Sequence, residues 1–119
     1  GSACVPDMDH GGIVFFRSES LDRTVAFYRG FGCETWREQP DCTILDFEGF
    51  RVGFCDRSPA ETEGILTFVV PDRGAVDRLA DDLGDALVEG PRYNDTYGIY
   101  QAFARDPEGR TVEVQCFER

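Results

Sequence analysis

The chain has 119 residues, a normal size for one compact domain, and 41% hydrophobic and 13% aromatic residues suffice for a core. Asp and Glu number 23 against 12 basic residues, all of them Arg, for a net charge of -11. That surface repels nucleic acid and anionic membranes, and no apolar run approaches the roughly 18 residues of a membrane helix.

An acidic, lysine-free surface has two sources. A salt-loving cytoplasm selects it, because high salt screens the self-repulsion. A GC-rich genome produces it by encoding Arg in place of Lys. Nothing near the start joins a basic region to a long apolar stretch, so no signal peptide is read, and Gly1-Ser2 reads as a cloning remnant. Five cysteines occur without a C-x-x-C spacing, which excludes zinc ribbons and thioredoxin-like chemistry. Cys33, Cys42, Cys55 and Cys116 fall in strand-like stretches and read as small buried residues of a reduced, cytoplasmic protein.

In chain order, 11–18 (GGIVFFRS) reads as a strand. Residues 20–32 read as a helix with Ser20 as N-cap, Leu21, Val25 and Tyr28 on one face, and Gly32 as its stop. Strands follow at 33–38, 42–48 and 50–56, and 57–63 reads as a linker. The order then repeats. A strand at 64–70 leads to a helix at 72–84, capped by Asp72, with Val76, Leu79, Ala80 and Leu83 on one stripe. A short strand at 86–90, a loop at 91–98, a strand at 99–105, a DPEG turn and a last strand finish the chain. The pattern is α+β: two βαβββ modules, about 10–57 and 63–118, in a single domain. Each module has one helix to cover one face of its sheet. The other faces are expected to form a side-by-side cleft.

This order resembles the vicinal oxygen chelate superfamily of glyoxalases, bleomycin-resistance proteins and extradiol dioxygenases. SLDRTVAFYRGFG (20–32) is similar to the opening D-L-x-x-(S/A)-x-x-FY-x-x-x-LG, and DPEGRTVEVQ (106–115) to the closing DP-(D/E)-G-x-x-x-E-(L/F). FVVPDRGAVDRL (68–79) resembles the second module's strand-to-helix junction. Together the motifs cover nearly the whole chain. The resemblance implies metal ligands, usually His, Gln or Glu, on the first and last strands of each module. Counting residues puts those positions at Ile13, Gly53, Ile65 or Leu66, and Glu113. Only Glu113 is a ligand type. His10, the single histidine, lies an odd number of residues from Ile13 and so points to the opposite face unless Gly11-Gly12 carries a bulge.

The expectation is therefore a metal-independent cleft, without cofactor, for a small organic ligand of anionic or aromatic character. Alternation puts Phe15 and Arg17 on the cleft face of the first strand, and Glu113 and Gln115 on that of the last. Val112, Val114 and Cys116 then pack on the helices. Arg17 stands where glyoxalase-like members place a substrate-binding Arg. It would hold an anion or pair with Glu113. Trp36, Tyr97 and Tyr100 are the further aromatic candidates, with Gly98 beside a lid-like loop, and Cys55 is a candidate thiol. Two other readings stay open: a divalent-metal lyase or dioxygenase using Glu113, His10 and further carboxylates, and a non-catalytic dimerising or regulatory module.

Single-chain relatives commonly pair, and exposed sheet edges need cover, so a homodimer is expected. Light scattering at high salt should give twice the chain mass; a clean monomer across the micromolar range would rule the dimer out.

Overall fold

Alternation of apolar and polar residues builds eight strands within residues 10–118, the part of the chain that the computed structural model describes. Gly1-Ser2 and Cys4 lie outside it. The chain divides into two compact units, with the boundary between Glu61 and Thr62.

Unit one runs β1 (Val14–Ser18), α1 (Leu21–Arg29), β2 (Glu34–Glu38), β3 (Cys42–Phe47) and β4 (Phe50–Asp56). Its sheet has the order β1-β4-β3-β2, with β1 parallel to β4 and the other pairs antiparallel. Thr24 and Tyr28, one turn apart, face inward on α1, and the Tyr28 ring stacks on Phe54 of β4 at 5.1 Å. Leu21 and Val25 are only half buried, so the inward stripe is rotated from the one expected. Ser20 makes no side-chain capping bond; its carbonyl accepts from Thr24 N–H at 3.0 Å.

Most of the segment read as a linker belongs to unit one. Glu61 N–H donates to the Arg17 carbonyl at 3.0 Å, and the Glu61 carboxylate accepts from Arg17 N–H at 2.8 Å. Arg57 N–H donates to the Ser18 carbonyl at 3.2 Å, and Ala60 N–H to the Glu19 carboxylate at 3.0 Å. The two bonds at Arg17 occupy backbone groups that would otherwise be unpaired near the end of edge strand β1.

Unit two repeats the plan: β5 (Ile65–Val69), α2 (Arg73–Leu83), β6 (Leu87–Asn94), β7 (Ile99–Arg105) and β8 (Thr111–Phe117), with sheet order β5-β8-β7-β6. Asp72 caps α2, accepting from Ala75 N–H at 2.9 Å. Val76, Ala80 and Leu83 bury the helix against Val112, Val114 and Cys116 of β8, as the alternation requires. Strand β6 is longer than expected, because the chain stays extended through Gly90-Pro91 with a shift of register. Gly90 has a φ of +84°, and a Cβ there would meet the Gln101 carbonyl oxygen at 2.7 Å, so only glycine fits.

The DPEGR turn is a buried electrostatic knot. Asp106 accepts from the Glu108 and Arg110 N–H groups at 2.9 and 3.0 Å, and from the Arg110 guanidinium at 2.9 Å. Glu108 also lies 2.9 Å from that guanidinium, and the Arg110 and Asp106 side chains are wholly shielded from water. Removing the cation strands two buried carboxylates. Arg110→Met should cost about 3–5 kcal/mol in urea unfolding. The exposed neighbour control, Arg105→Met, should stay within about 0.5 kcal/mol. Equal losses in the two variants would show that the knot contributes nothing.

Candidate functional site

Strand β8 is paired on both sides, so its non-helical face is shielded by its neighbours. Glu113 stands at its centre and is only 7% exposed. Parallel register sets Thr67 of β5 opposite Glu113, and its hydroxyl donates to Oε1 at 2.9 Å. From the other side Gln101 of β7 donates to Oε2 at 2.5 Å, and Gln115, two residues along β8, donates to Oε2 at 2.7 Å. Asn94 of β6 donates to the Gln101 carbonyl at 2.9 Å and holds that amide in orientation. A buried carboxylate is costly unless hydrogen-bonded, and here three neutral donors satisfy it.

Glu113, Gln115, Gln101 and Asn94 of this network line a groove of about 510 Å³ within unit two. Its walls include Ile65, Tyr97, Ile99, Phe103 and Phe117. Tyr97 is 69% and Phe117 63% exposed. Arg92 and Glu89 lie at the rim and pair with each other. A groove of this volume, with apolar walls and a few convergent polar groups, suits a small organic molecule.

The expected residues distribute unevenly. Glu113, Gln115 and Tyr97 meet in this groove. Phe15 and Arg17 share a smaller groove of about 280 Å³ in unit one with Cys55, Arg57 and Glu61. Arg17 belongs to unit one and Glu113 to unit two, and each has partners within its own unit. The Arg17 guanidinium donates to the Pro59 carbonyl at 3.0 Å and lies 3.5 Å from Glu61. Tyr100 is corrected. It pairs with Cys116 across the strands, so parity turns it to the helix side, where its hydroxyl donates to Asp77 of α2 at 2.8 Å. Arg73 lies over the Tyr100 ring and holds Glu118. Trp36 reaches neither groove. It sits on β2 beside Arg51, whose guanidinium lies 4.0 Å from the ring centre.

Register gives the neighbours of two counted positions, Gly53 and Glu113. Ile13 precedes β1; the residue paired with Gly53 is Phe15, whose ring occupies the space a Cβ on Gly53 would need. In unit two the residue opposite Glu113 is Thr67, two residues beyond Ile65. Within unit two, Thr67 and Glu113 offer one hydroxyl and one carboxylate. Gln101 and Gln115 turn amide N–H groups, which cannot ligate a cation, toward the carboxylate. Among the described residues no three His, Cys, Asp or Glu side chains gather as a metal site, and His10 is exposed outside any strand. Unit two's donor set falls short of the three protein ligands that a catalytic zinc site uses.

Thr67, Gln101 and Asn94 went unread in the sequence. Gln101 carried a signal: it is the polar residue among the off-helix positions Ile99, Gln101 and Phe103. Thr67 becomes readable only with the β5–β8 register.

The reduced-thiol expectation is corrected for two cysteines. The register of β3 and β4 sets Cys42 opposite Cys55, and the two form a disulfide. Their separation of 13 residues does not announce this; only strand pairing does. Cys55 therefore carries no free thiol. Cys33 and Cys116 are free and buried. Burial, aided by the nearby Asp46 charge, pushes the Cys33 thiol up to about 12.

Two modules of one parallel and two antiparallel strand pairs, each backed by one helix, define the α+β fold of the glyoxalase/bleomycin resistance/dioxygenase proteins. A glyoxalase/bleomycin resistance protein/dioxygenase family enzyme from Burkholderia phytofirmans PsJN is similar at 23% identity and TM-score 0.73, over 87% of this chain and 95% of that one. A lactoylglutathione lyase from Agrobacterium tumefaciens matches at 22% identity and TM-score 0.72, over 92% and 94%. A glyoxalase/bleomycin resistance protein/dioxygenase from Alicyclobacillus acidocaldarius matches at 19% and 0.74, over 93% of each chain. At these identities the likeness is one of fold. No family model matches the sequence, and no curated protein matches it either.

Thiol titration of the unfolded protein should find two fewer reactive thiols before reduction than after it; equal counts would exclude the disulfide. Cys33 holds its proton to higher pH when folded than the ordinary thiol value of 9.0. Its contribution to stability is complete below about pH 9 and is lost as pH rises toward 12. Cys33→Val should flatten that alkaline decline in chemical unfolding.

Proposed function

We propose that this chain binds a small organic molecule in the unit-two groove without a metal ion, as a glyoxalase/bleomycin-resistance-like protein. The observation that carries the reading is the Glu113 network. A carboxylate at the one ligand-type position of the superfamily is occupied by a hydroxyl and two amides instead of by further metal ligands. Apolar and aromatic walls above it supply the burial that a ligand's body needs. The fold neighbours, which carry the names of bleomycin resistance proteins and of enzymes, fit this reading and leave the reaction open.

Elemental analysis after gentle purification should find no stoichiometric nickel, zinc, iron or manganese. One equivalent lost in Glu113→Ala would instead support the metal-dependent lyase or dioxygenase. A panel of small aromatic compounds should raise the melting temperature, since a ligand at a hundredfold excess over its Kd stabilises the folded state by about 2.7 kcal/mol. Tyr97→Ala should weaken that shift. No shift with any compound would favour a non-catalytic dimerising or regulatory module.

A further inference from the structure

We propose that the unit-two groove selects a protonated amine on an apolar or aromatic body, an inference that rests on the binding reading above. The argument begins with the charge balance inside the groove. Arg92 and Glu89 pair and cancel. Glu113 remains, and among the described residues of unit two no ion pair engages it. The groove therefore holds one uncompensated negative charge, dehydrated at its floor.

The hydrogen-bond directions add to this. Both glutamines spend amide N–H groups on Glu113. The Gln101 carbonyl points away and accepts from Asn94. An anionic head entering here meets a carboxylate toward which the neighbouring hydroxyl and amide donors already turn. A cationic N–H donor meets an acceptor. A carboxylate has about four lone-pair positions, and Thr67, Gln101 and Gln115 fill three, one on Oε1 and two on Oε2. One place on Oε1 is left for a ligand donor. That favours an amine carrying N–H over a quaternary ammonium group, which has only charge to offer.

The walls complete the match. Tyr97, Phe103 and Phe117 present aromatic rings near the carboxylate. Such rings bind flat bodies by stacking and attract cations through their faces. The chain's net charge of -11 raises the local concentration of cations and lowers that of anions. The anionic expectation had rested on Arg17, which is engaged with Glu61 and Pro59.

The test compares three probes that share one body: naphthylmethylamine, naphthylmethanol and naphthoate, titrated calorimetrically at neutral pH. The amine should bind about tenfold tighter than the alcohol, the factor that a hydrogen bond to a charged group supplies, and the acid should bind weakest. In Glu113→Gln, which keeps the shape, the amine should lose its tenfold advantage over the alcohol. The wild-type ranking alone decides the sign, so a poorly folded variant does not block the test. If the acid or the alcohol binds as tightly as the amine, amine selection is wrong while groove binding stands. If none of the three binds, the groove reading and the inference fall together.

Discussion

The structure of unit two depends on one constraint: a carboxylate placed on the central, doubly paired strand of a sheet. Strand β8 hydrogen-bonds to β5 on one side and β7 on the other, so Glu113 cannot reach open water by bending away. An unsatisfied charge there would be costly. The surrounding residues answer that demand from three strands, with Thr67, Gln101 and Gln115 as donors and Asn94 fixing the orientation of Gln101. Neutral donors satisfy the carboxylate without cancelling its charge. A buried arginine would have satisfied it and removed the site's electrostatic character at once.

The chain does use a buried arginine where no site is wanted. Arg110 closes the β7–β8 turn by binding Asp106 and Glu108. The closing motif thus splits into two physical roles within a few residues. DPEGR ties the hairpin and fixes the register of β8; VEVQ then places Val112 and Val114 under α2 and Glu113 and Gln115 on the opposite face.

Unit one shows the same architecture with different chemistry. At the position corresponding to Glu113 it has Gly53, and the neighbouring strand contributes Phe15, whose ring lies across the glycine. That position thus carries no carboxylate for neighbouring donors to satisfy. The sheet is instead tied by the Cys42–Cys55 disulfide, and the edge of β1 is covered by the segment ending at Glu61. The two units share the backbone plan, which alternation and helix periodicity encode locally, and differ in the side chains on the off-helix face.

The sequence by itself determined the succession of elements, their doubled order and the two faces of β8. Periodicity is a local property: Val112, Val114 and Cys116 could be assigned to the helix side of β8 from spacing two alone. It also exposed the shortage of metal-ligand side chains, since that depends on residue types. What only the tertiary structure decided is which residues meet across strands. Thr67 opposite Glu113, Cys42 opposite Cys55 and Phe15 opposite Gly53 are register facts. So is the turning of Tyr100 toward Asp77. Register is fixed by the turn at each strand end and by packing of the whole sheet on its helix, and a shift of one residue moves every side chain to the other face. No short window of sequence contains that information, which is why the fold was legible residue by residue and the partners of Glu113 and Arg17 were not.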